Sequence, residues 1–250
     1  MLLSKLWGGV AIAMLAALTP SFAQTTTDTN ANAWLMYFGD HALDSRWGVH
    51  LEGQFRRSDV GLGWQQLLLR PGVNFQINRY ASATVGYAFV NSYPYGGYSS
   101  KATLPEHRVF EQLWIKHPLG PLGLQHRLRL EQRAVQAIPA DNPAGRTTEL
   151  RQRFRYMLRG DIPVSKRFYV GLYDEFFVNF GGNRGLRYLD QNRAYGALGF
   201  KLSGFEKLEF GYLHHYVPQR NTRIIEHNHT LQIGIFSNRP VLLKNTEPRP

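Results

Sequence analysis

The sequence predicts an all-β protein, an antiparallel up-and-down transmembrane β-barrel of about 10–12 strands. Three observations predict this fold. A secretory signal opens the chain, apolar and polar residues alternate along many segments of strand length, and no later apolar run reaches the roughly 20 residues that a membrane-spanning helix needs. Because neighbouring side chains of a strand point to opposite faces, the alternation indicates a sheet whose two faces meet different environments.

The first 23 residues have the organisation of a cleavable signal peptide. Lys5 supplies the positive charge, residues 6–18 (LWGGVAIAMLAAL) are apolar, and the small residues Ser21 and Ala23 occupy the positions that a signal peptidase reads. An uncleaved N-terminal helix is the alternative, but the apolar run is short for a bilayer span. We therefore expect export of the chain and removal of residues 1–23.

The rest of the chain, residues 24–250, is long enough for one large all-β domain, expected to be an outer-membrane barrel with a short C-terminal tail at 239–250. It contains no cysteine, so a closed barrel would gain its rigidity from backbone hydrogen bonds. Lys and Arg exceed Asp and Glu by 29 to 18, which gives a net charge of +11. Nucleic-acid-binding proteins show a similar excess, but we expect no nucleic-acid partner for an exported chain.

The clearest alternation lies between residues 149 and 162, where one face is mainly apolar and the other is rich in arginine. A helix would scatter these arginines around its axis, whereas a strand aligns them in one row. Residues 106–117 are ambiguous, because both faces of that segment mix apolar and charged residues. The other predicted strands cover residues 34–39, 47–56, 64–77, 80–93, 122–134, 168–180, 192–203, 207–218 and 227–237.

The connections between these segments alternate between short turns and longer loops, as in a barrel with a periplasmic and an extracellular rim. Eleven candidate strands nevertheless conflict with the even number that is usual in bacterial barrels. If the last strand runs towards the periplasm, residues 34–39 would have to start outside. Either that segment is not a regular wall strand, or one segment contains two strands, or residues 25–31 cross as well.

Alternation alone does not decide which face points inwards, because a soluble periplasmic β-domain would place its apolar side chains inside. Three features favour a membrane barrel with a polar lumen. The signal peptide permits export, and the polar rows contain Arg far more often than Lys, which is typical of confined ion pairs. Aromatic residues lie towards the ends of the apolar rows, as in interfacial girdles: Trp34, Trp47, Phe55, Trp64, Phe75, Tyr80, Phe89, Tyr156, Phe168, Phe180, Phe210 and Tyr216.

The polar rows predict an arginine-rich lumen. Arginines outnumber acids in these rows, and the partners available to them are Glu52, Glu106, Glu175 and Glu209. The candidate lumen residues are Arg70, Arg127, Arg129, Glu131, Arg133, Arg151, Arg153, Arg155, Glu175 and Arg193. They would either fill a narrow lumen with structural salt bridges or line a path or pocket for small anionic solutes such as phosphates and carboxylates.

A lipid-modifying barrel enzyme, either an acyl hydrolase or an acyl transferase, is an alternative function. His214 and His215 adjoin a predicted extracellular rim, and Glu175 and Asp190 are possible acidic partners. Adjacent strand residues point to opposite faces, so at most one of these histidines faces inwards. No serine has a recognisable nucleophile context, and the HNH string at 227–229 lacks a supporting carboxylate motif. We therefore expect no catalytic residue, no cofactor and no metal site.

Several short runs, in this order along the chain, resemble the domain of unknown function 2490 family of bacterial proteins: WGVHLEGQFR, QQLLLRPGVNF, VGYAF, PEHRVFEQL, HRLRLEQR, RFRYML, YDEFFVNF, DQNRAYGALGFK and EFGYLHHY. The resemblance covers nearly all of the chain after the signal. It implies a barrel in the outer membrane of a Gram-negative bacterium and implies no activity. Such a barrel would meet outer-membrane lipids and the barrel assembly machinery. The tail RPVLLKNTEPRP departs from barrels that end on an aromatic strand.

Overall fold

A computed structural model describes residues 25–98, 100–139, 142, 144–181, 188–219 and 223–241. The expected signal peptide and most of the expected tail lie outside the described residues. The described chain forms one closed barrel of eleven strands. Their bounds are β1 Thr26–Ala42, β2 Trp47–Ser58, β3 Gly63–Asn78, β4 Ala81–Ser92, β5 Leu104–Leu119, β6 Leu122–Ala137, β7 Thr147–Pro163, β8 Phe168–Phe180, β9 Leu189–Lys201, β10 Glu206–Pro218 and β11 Ile224–Ser237.

The barrel closes through a parallel pair. Each strand is antiparallel to its neighbours in sequence, but β1 runs parallel to β11, with Thr26 opposite Ile224 and Gly39 opposite Ser237. An odd number of up-and-down strands requires one such pair. The strand number therefore lies within the predicted range, but the described barrel departs from the usual even number. Residues 25–31 and 34–39 form no separate strands, because β1 is one continuous strand of 17 residues.

The two ends of the barrel differ in their connections. The connections β2–β3, β4–β5, β6–β7, β8–β9 and β10–β11 lie at one end, which we call the long-loop end, and the other connections lie at the opposite, short-turn end. All connections at the long-loop end except β2–β3, which is as short as β1–β2, are longer than those at the short-turn end. The alternation of loop lengths predicted from the sequence is therefore present. Because β1 is parallel to β11, the chain enters β1 at the long-loop end and leaves β11 at the short-turn end.

The barrel has an apolar outer face and a polar interior. Leucine, valine, isoleucine and phenylalanine side chains are exposed around the outside, whereas arginine, glutamate, glutamine and asparagine dominate the buried residues. The ambiguous segment 106–117 belongs to β5, which turns Glu106, Arg108 and Phe110 inwards and leaves Val109 exposed on the outer face. In the described part of the chain, no helix is long and apolar enough to span a membrane.

The prediction that Trp34 belongs to the apolar outer row is wrong. Its side chain lies inside the barrel and is only 2% exposed. Trp34 shares the inward face of β1 with Asn32 and Met36, and its indole Nε1 donates to Gln65 Oε1 at 2.6 Å. A tryptophan that has a hydrogen-bond partner for its N–H can be buried among polar groups, so its apolar character alone did not decide its face.

Gly86 in β4 leaves room for the ring of Phe110, which packs against it inside the barrel. A Cβ added at Gly86 would lie 2.6 Å from Phe110 Cε1 and 2.5 Å from the carbonyl oxygen of Pro71. Phe110, which is fully buried, thus occupies space that any other residue at position 86 would take. Close approach of side chain and backbone is a common reason for glycine within a strand.

Candidate functional site

Strands β6 and β7 position the densest group of charges. Their register sets Arg129 opposite Arg155 and Glu131 opposite Arg153, with all of these side chains inside the barrel. The sequence predicts two facing charged rows on these strands, and the structure contains them. Guanidinium groups this close would repel one another unless carboxylates lay between them.

All ten candidate lumen residues point into the barrel, but they do not share one environment. Nine of them are buried. Arg151 lies nearer the long-loop end, is half-buried, and donates from Nη2 to Glu149 Oε2 at 2.7 Å. The structure thus brings together the residues of the barrel middle and leaves Arg151 at its margin.

Glu131 is the centre of the ion-pair network. Its carboxylate lies 2.5 Å from Nη2 of Arg153 and 2.8 Å from Nη1 of Arg155. Two further guanidinium groups, those of Arg70 and Arg108, lie 3.7 Å and 3.8 Å away. A single carboxylate that contacts four cations compensates much of their mutual repulsion.

The four glutamates that the sequence identifies as partners all take part in ion pairs. Glu52 binds Arg70, with a distance of 2.5 Å between Oε2 and Nη1. The remaining pairs follow the same inward rows of the strands: Glu106 with Arg108 and Arg133, Glu175 with Arg127 and Arg155, and Glu209 with Arg159. Asp190, considered above as a possible catalytic acid, instead binds Arg153 Nη1 at 2.6 Å.

Side chains fill the middle of the barrel. Arg129, Glu131 and Phe110 are no more than 1% exposed. Residues that line a water-filled channel would retain solvent contact, so this layer closes the lumen where it stands. Small barrels commonly fill their interior with side chains in this way.

A cavity of about 250 Å³ lies in the half of the lumen nearest the long-loop end. We call it the arginine chamber. Among its described lining residues are seven arginines and one acid, Glu106. The arginines are Arg56, Arg70, Arg108, Arg133, Arg153, Arg155 and Arg193.

Arg56 and Arg193 differ from the other arginines of the chamber, because neither has a carboxylate within 4.0 Å among the described residues. Arg56 donates to Gln54 Oε1 at 2.9 Å and to Gln66 Oε1 at 2.7 Å. Arg193 has a longer bond to Gln191, at 3.3 Å, and its buried Nε has no hydrogen-bond partner. Both side chains are more than nine-tenths buried, so bulk water screens their charge only weakly.

Trp34 holds the two unpaired cations on one surface. The Cζ atoms of Arg56 and Arg193 lie 4.0 Å and 5.3 Å from the centroid of its ring. His215 meets the same ring edge-on, with 5.8 Å between the centroids. Cation–π contacts stabilise each guanidinium but do not neutralise it, so the chamber retains a positive charge.

Sequence reasoning did not select Arg56, Arg108 or Trp34 for the site. Arg56 belongs to the same alternating row as Glu52, so period two could have found it. Arg108 was not predicted because both faces of β5 mix apolar and charged residues. Trp34 was not predicted because its apolar character placed it on the outer face. These three side chains converge because of which strands face each other across the lumen, and a local sequence pattern contains no information about that arrangement.

Tyr95, in the connection between β4 and β5, reaches the mouth of the chamber. Its hydroxyl donates to Glu226 Oε2 at 3.0 Å. Burial, together with the neighbouring carboxylate, raises the pKa of Tyr95, so the hydroxyl stays protonated and keeps donating. This contact ties the long loop to β11.

The histidines that suggested catalysis are separated by the barrel wall. His215 points inwards and donates from Nε2 to Gln191 Oε1 at 3.0 Å, whereas His214 points outwards and contacts His227, with 3.1 Å between Nε2 and Nδ1. Within the described ranges, no contact joins His214 or His215 to a serine or to a carboxylate. The described residues also contain no group of three His, Cys, Asp or Glu side chains that could hold a metal ion.

Comparison with known proteins identifies the family. The solved structure "NanC porin structure in rhombohedral crystal form" is similar in fold, with a TM-score of 0.49 and 10% sequence identity over 80% of this chain and 89% of that chain. No curated protein matches the sequence. The profile of the family described as "Protein of unknown function (DUF2490)" matches residues 31–226. The resemblance predicted from the short runs is therefore confirmed, and the chain belongs to the DUF2490 family.

Proposed function

We propose that the protein is an outer-membrane β-barrel whose lumen is closed in the middle and whose arginine chamber binds small anionic solutes. The observation that carries this proposal is the pair Arg56 and Arg193, two buried cations that face one cavity without a carboxylate partner among the described residues. The membrane location and the ligand class have separate support, so each has its own test.

The distribution of side chains supports the membrane location. The strands contain 12 to 17 residues, enough for the roughly 9–11 residues of a tilted membrane strand and an extension. Their outer face exposes large apolar residues such as Leu51, Val73 and Leu198, which water would solvate poorly and lipid chains would cover. Export through a cleaved signal peptide to the outer membrane of a Gram-negative bacterium, contact with its lipids and folding by the barrel assembly machinery belong to this proposal.

Electrostatics supports an anionic ligand. A buried guanidinium without a counter-charge is unfavourable, because it has lost water without gaining an ion pair. A carboxylate or phosphate in the chamber would restore the missing charge, and its oxygens would accept from the planar donors of Arg56 and Arg193. The volume of about 250 Å³ restricts the ligand to a small molecule.

The filled middle supports binding rather than free passage. An ion that left the arginine chamber towards the short-turn end would have to displace Glu131 from its guanidinium partners. The structural salt bridges and the anion-binding pocket considered from the sequence are thus adjacent parts of one lumen, because the four arginines that contact Glu131 also line the chamber. The layer around Glu131 stabilises the wall, and the layer around Trp34 holds the ligand.

Cell fractionation tests the location. The full-length protein should sediment with outer membranes and migrate faster on a gel before heating than after it, because a closed barrel resists detergent. Recovery as a soluble periplasmic species would contradict the membrane proposal and favour a soluble anion-binding β-domain.

Calorimetric titration tests the ligand class, with inorganic phosphate and acetate as probes and the purified barrel in detergent. Replacing Arg56 or Arg193 with glutamine removes a charged hydrogen bond, which should weaken binding about 10-fold or more. Arg151→Gln is the matched control, because Arg151 has Glu149 as its partner and lies outside the chamber lining. Wild-type protein that binds neither probe, or equal losses in all three variants, would contradict the proposal.

A further inference from the structure

His215 and Arg193 face each other on the inward side of the β9–β10 pair. Their Cα atoms are partners in the register of the two strands, and both side chains line the arginine chamber. Side chains opposite one another on one face of an antiparallel pair have Cβ atoms roughly 4.5–5.5 Å apart. A ligand that contacts Arg193 therefore lies beside the ring of His215.

Gln191 fixes which nitrogen of the His215 ring carries a proton. Its side-chain oxygen Oε1 lies 3.3 Å from Nη2 of Arg193 and 3.0 Å from Nε2 of His215. A guanidinium only donates hydrogen bonds, so the Gln191 atom that meets it is the carbonyl oxygen rather than the amide nitrogen. The same oxygen then accepts from His215, and the ring proton resides on Nε2.

The other ring nitrogen of His215, Nδ1, is an acceptor without a donor. It is buried and has no hydrogen-bond partner among the described residues. A proton on Nδ1 would add a third cation beside Arg56 and Arg193, because all three side chains contact the Trp34 ring. The neutral ring is therefore favoured, and Nδ1 keeps a lone pair that accepts a hydrogen bond.

The chamber thus contains an unused donor next to an unused acceptor. The donor is the buried Nε–H of Arg193 and the acceptor is Nδ1 of His215, and neither has a hydrogen-bond partner in the described part of the chain. An anion that only accepts hydrogen bonds, such as acetate, satisfies the donor but gives no proton to Nδ1. Because a buried polar group that stays unpaired is costly, the two side chains favour a ligand that both accepts and donates.

We propose that the arginine chamber is specific for small carboxylates that have a hydroxyl group on the neighbouring carbon, which are the 2-hydroxy carboxylates. The carboxylate accepts from Arg56 and Arg193, and the hydroxyl donates to Nδ1 of His215. An ammonium group on the same carbon would also donate, but the seven arginines of the chamber lining repel a positive charge. The inference rests on the anion binding proposed above and names the chemical class of the ligand.

Calorimetric titration of the purified full-length barrel in detergent tests this specificity with glycolate, acetate and glycine. The three probes have the same carboxylate and differ only in the substituent next to it. Glycolate should bind about fivefold more tightly than acetate, or better, because its hydroxyl makes one further hydrogen bond to a buried acceptor. Glycine should bind more weakly than glycolate. Equal affinities for glycolate and acetate would overturn the inference, as would tighter binding of glycine than of glycolate.

Matched variants test whether His215 is the acceptor. His215→Phe keeps a planar ring but removes both ring nitrogens, so glycolate and acetate should bind with nearly equal affinity. His215→Asn should restore part of the preference, because its side-chain oxygen can accept near the position of Nδ1. His214→Phe makes the same change on the outer face and should leave the preference intact. A preference that survives in His215→Phe would overturn the inference.

Nitrogen NMR spectroscopy of the histidine rings tests the tautomer in the wild-type barrel. The resonances of His215 are those that disappear in His215→Phe or in His215→Asn. Nδ1 of His215 should be unprotonated, and glycolate should shift its resonance much further than acetate does. A protonated Nδ1, or equal shifts with the two anions, would overturn the inference.

The pattern across ligands separates this inference from the proposed function. Arg56→Gln and Arg193→Gln should weaken the binding of glycolate and acetate alike, whereas His215→Phe should remove only the difference between them. Heat-modifiable migration shows that each variant is folded. A barrel that binds acetate and phosphate without a preference for glycolate overturns only the 2-hydroxy carboxylate class. A folded barrel that binds none of these anions contradicts the anion-binding chamber itself.

Discussion

The indole Nε1 of Trp34 donates a hydrogen bond to Gln65 Oε1 at 2.6 Å, inside a barrel whose interior is mostly polar. This bond orients the ring so that it contacts the guanidinium groups of Arg56 and Arg193. An anion that approaches these cations changes the electric field at the indole. Trp34 is therefore a built-in reporter of the arginine chamber.

Replacing Trp34 with phenylalanine should remove the change in tryptophan fluorescence that phosphate produces in the wild-type barrel. The sequence contains five tryptophans, and Trp47 and Trp64 are exposed on the outer face, away from the chamber. Trp47→Phe is accordingly the control and should keep the response. A response that survives in Trp34→Phe but disappears in Trp47→Phe would place the anion outside the chamber.

Glu131→Gln should destabilise the barrel by about 3–5 kcal/mol, because it leaves buried guanidinium groups without their shared carboxylate. Urea unfolding of the protein in lipid vesicles measures the effect. Glu149→Gln is the comparison, since that carboxylate pairs with Arg151 near the rim and is 33% exposed. The Glu149→Gln variant should lose no more than about 1 kcal/mol of unfolding free energy. Similar losses in both variants would show that the network around Glu131 has no special role.

Gly86→Ala should destabilise the barrel by about 1–3 kcal/mol, because the new Cβ meets the Phe110 ring and the wall has to shift. Gly53→Ala makes the same chemical change in β2 where no atom lies within 4 Å of the added Cβ. The second variant should unfold at nearly the wild-type urea concentration. If Gly86→Ala proves as stable as Gly53→Ala, the packing of Phe110 against β4 is not as described.

Cysteine labelling on intact cells tests the parallel closure, because the chain has no natural cysteine. A maleimide that does not cross the outer membrane should modify Tyr98→Cys in a long loop and Thr26→Cys at the start of β1. It should modify Lys166→Cys, in a short turn, only after the cells are permeabilised. Thr26→Cys that behaves like Lys166→Cys would indicate an even-stranded barrel in which β1 starts at the other end.

Local patterns predicted most of the wall, because period two is a property of each strand by itself. Residues 168–180 and the matching strand β8 have the same bounds, and the rows on β6 and β7 face each other as expected for strands that follow one another in sequence. The role of the inward arginines in binding anions stays a prediction. The failure at Trp34 has a physical cause, since its face depends on a hydrogen bond to Gln65, 31 positions away.

The sequence by itself determined the strands, the two unlike faces and the excess of arginine in one of them, because these follow from residue type and alternation. Only the tertiary structure decided how the barrel closes and which charges pair. Glu131 meets four arginines from three strands, whereas Arg56 and Arg193 converge on Trp34 without an acid among the described residues. Such pairings depend on distances across the lumen. The circumference of the closed barrel sets these distances, and the local sequence does not.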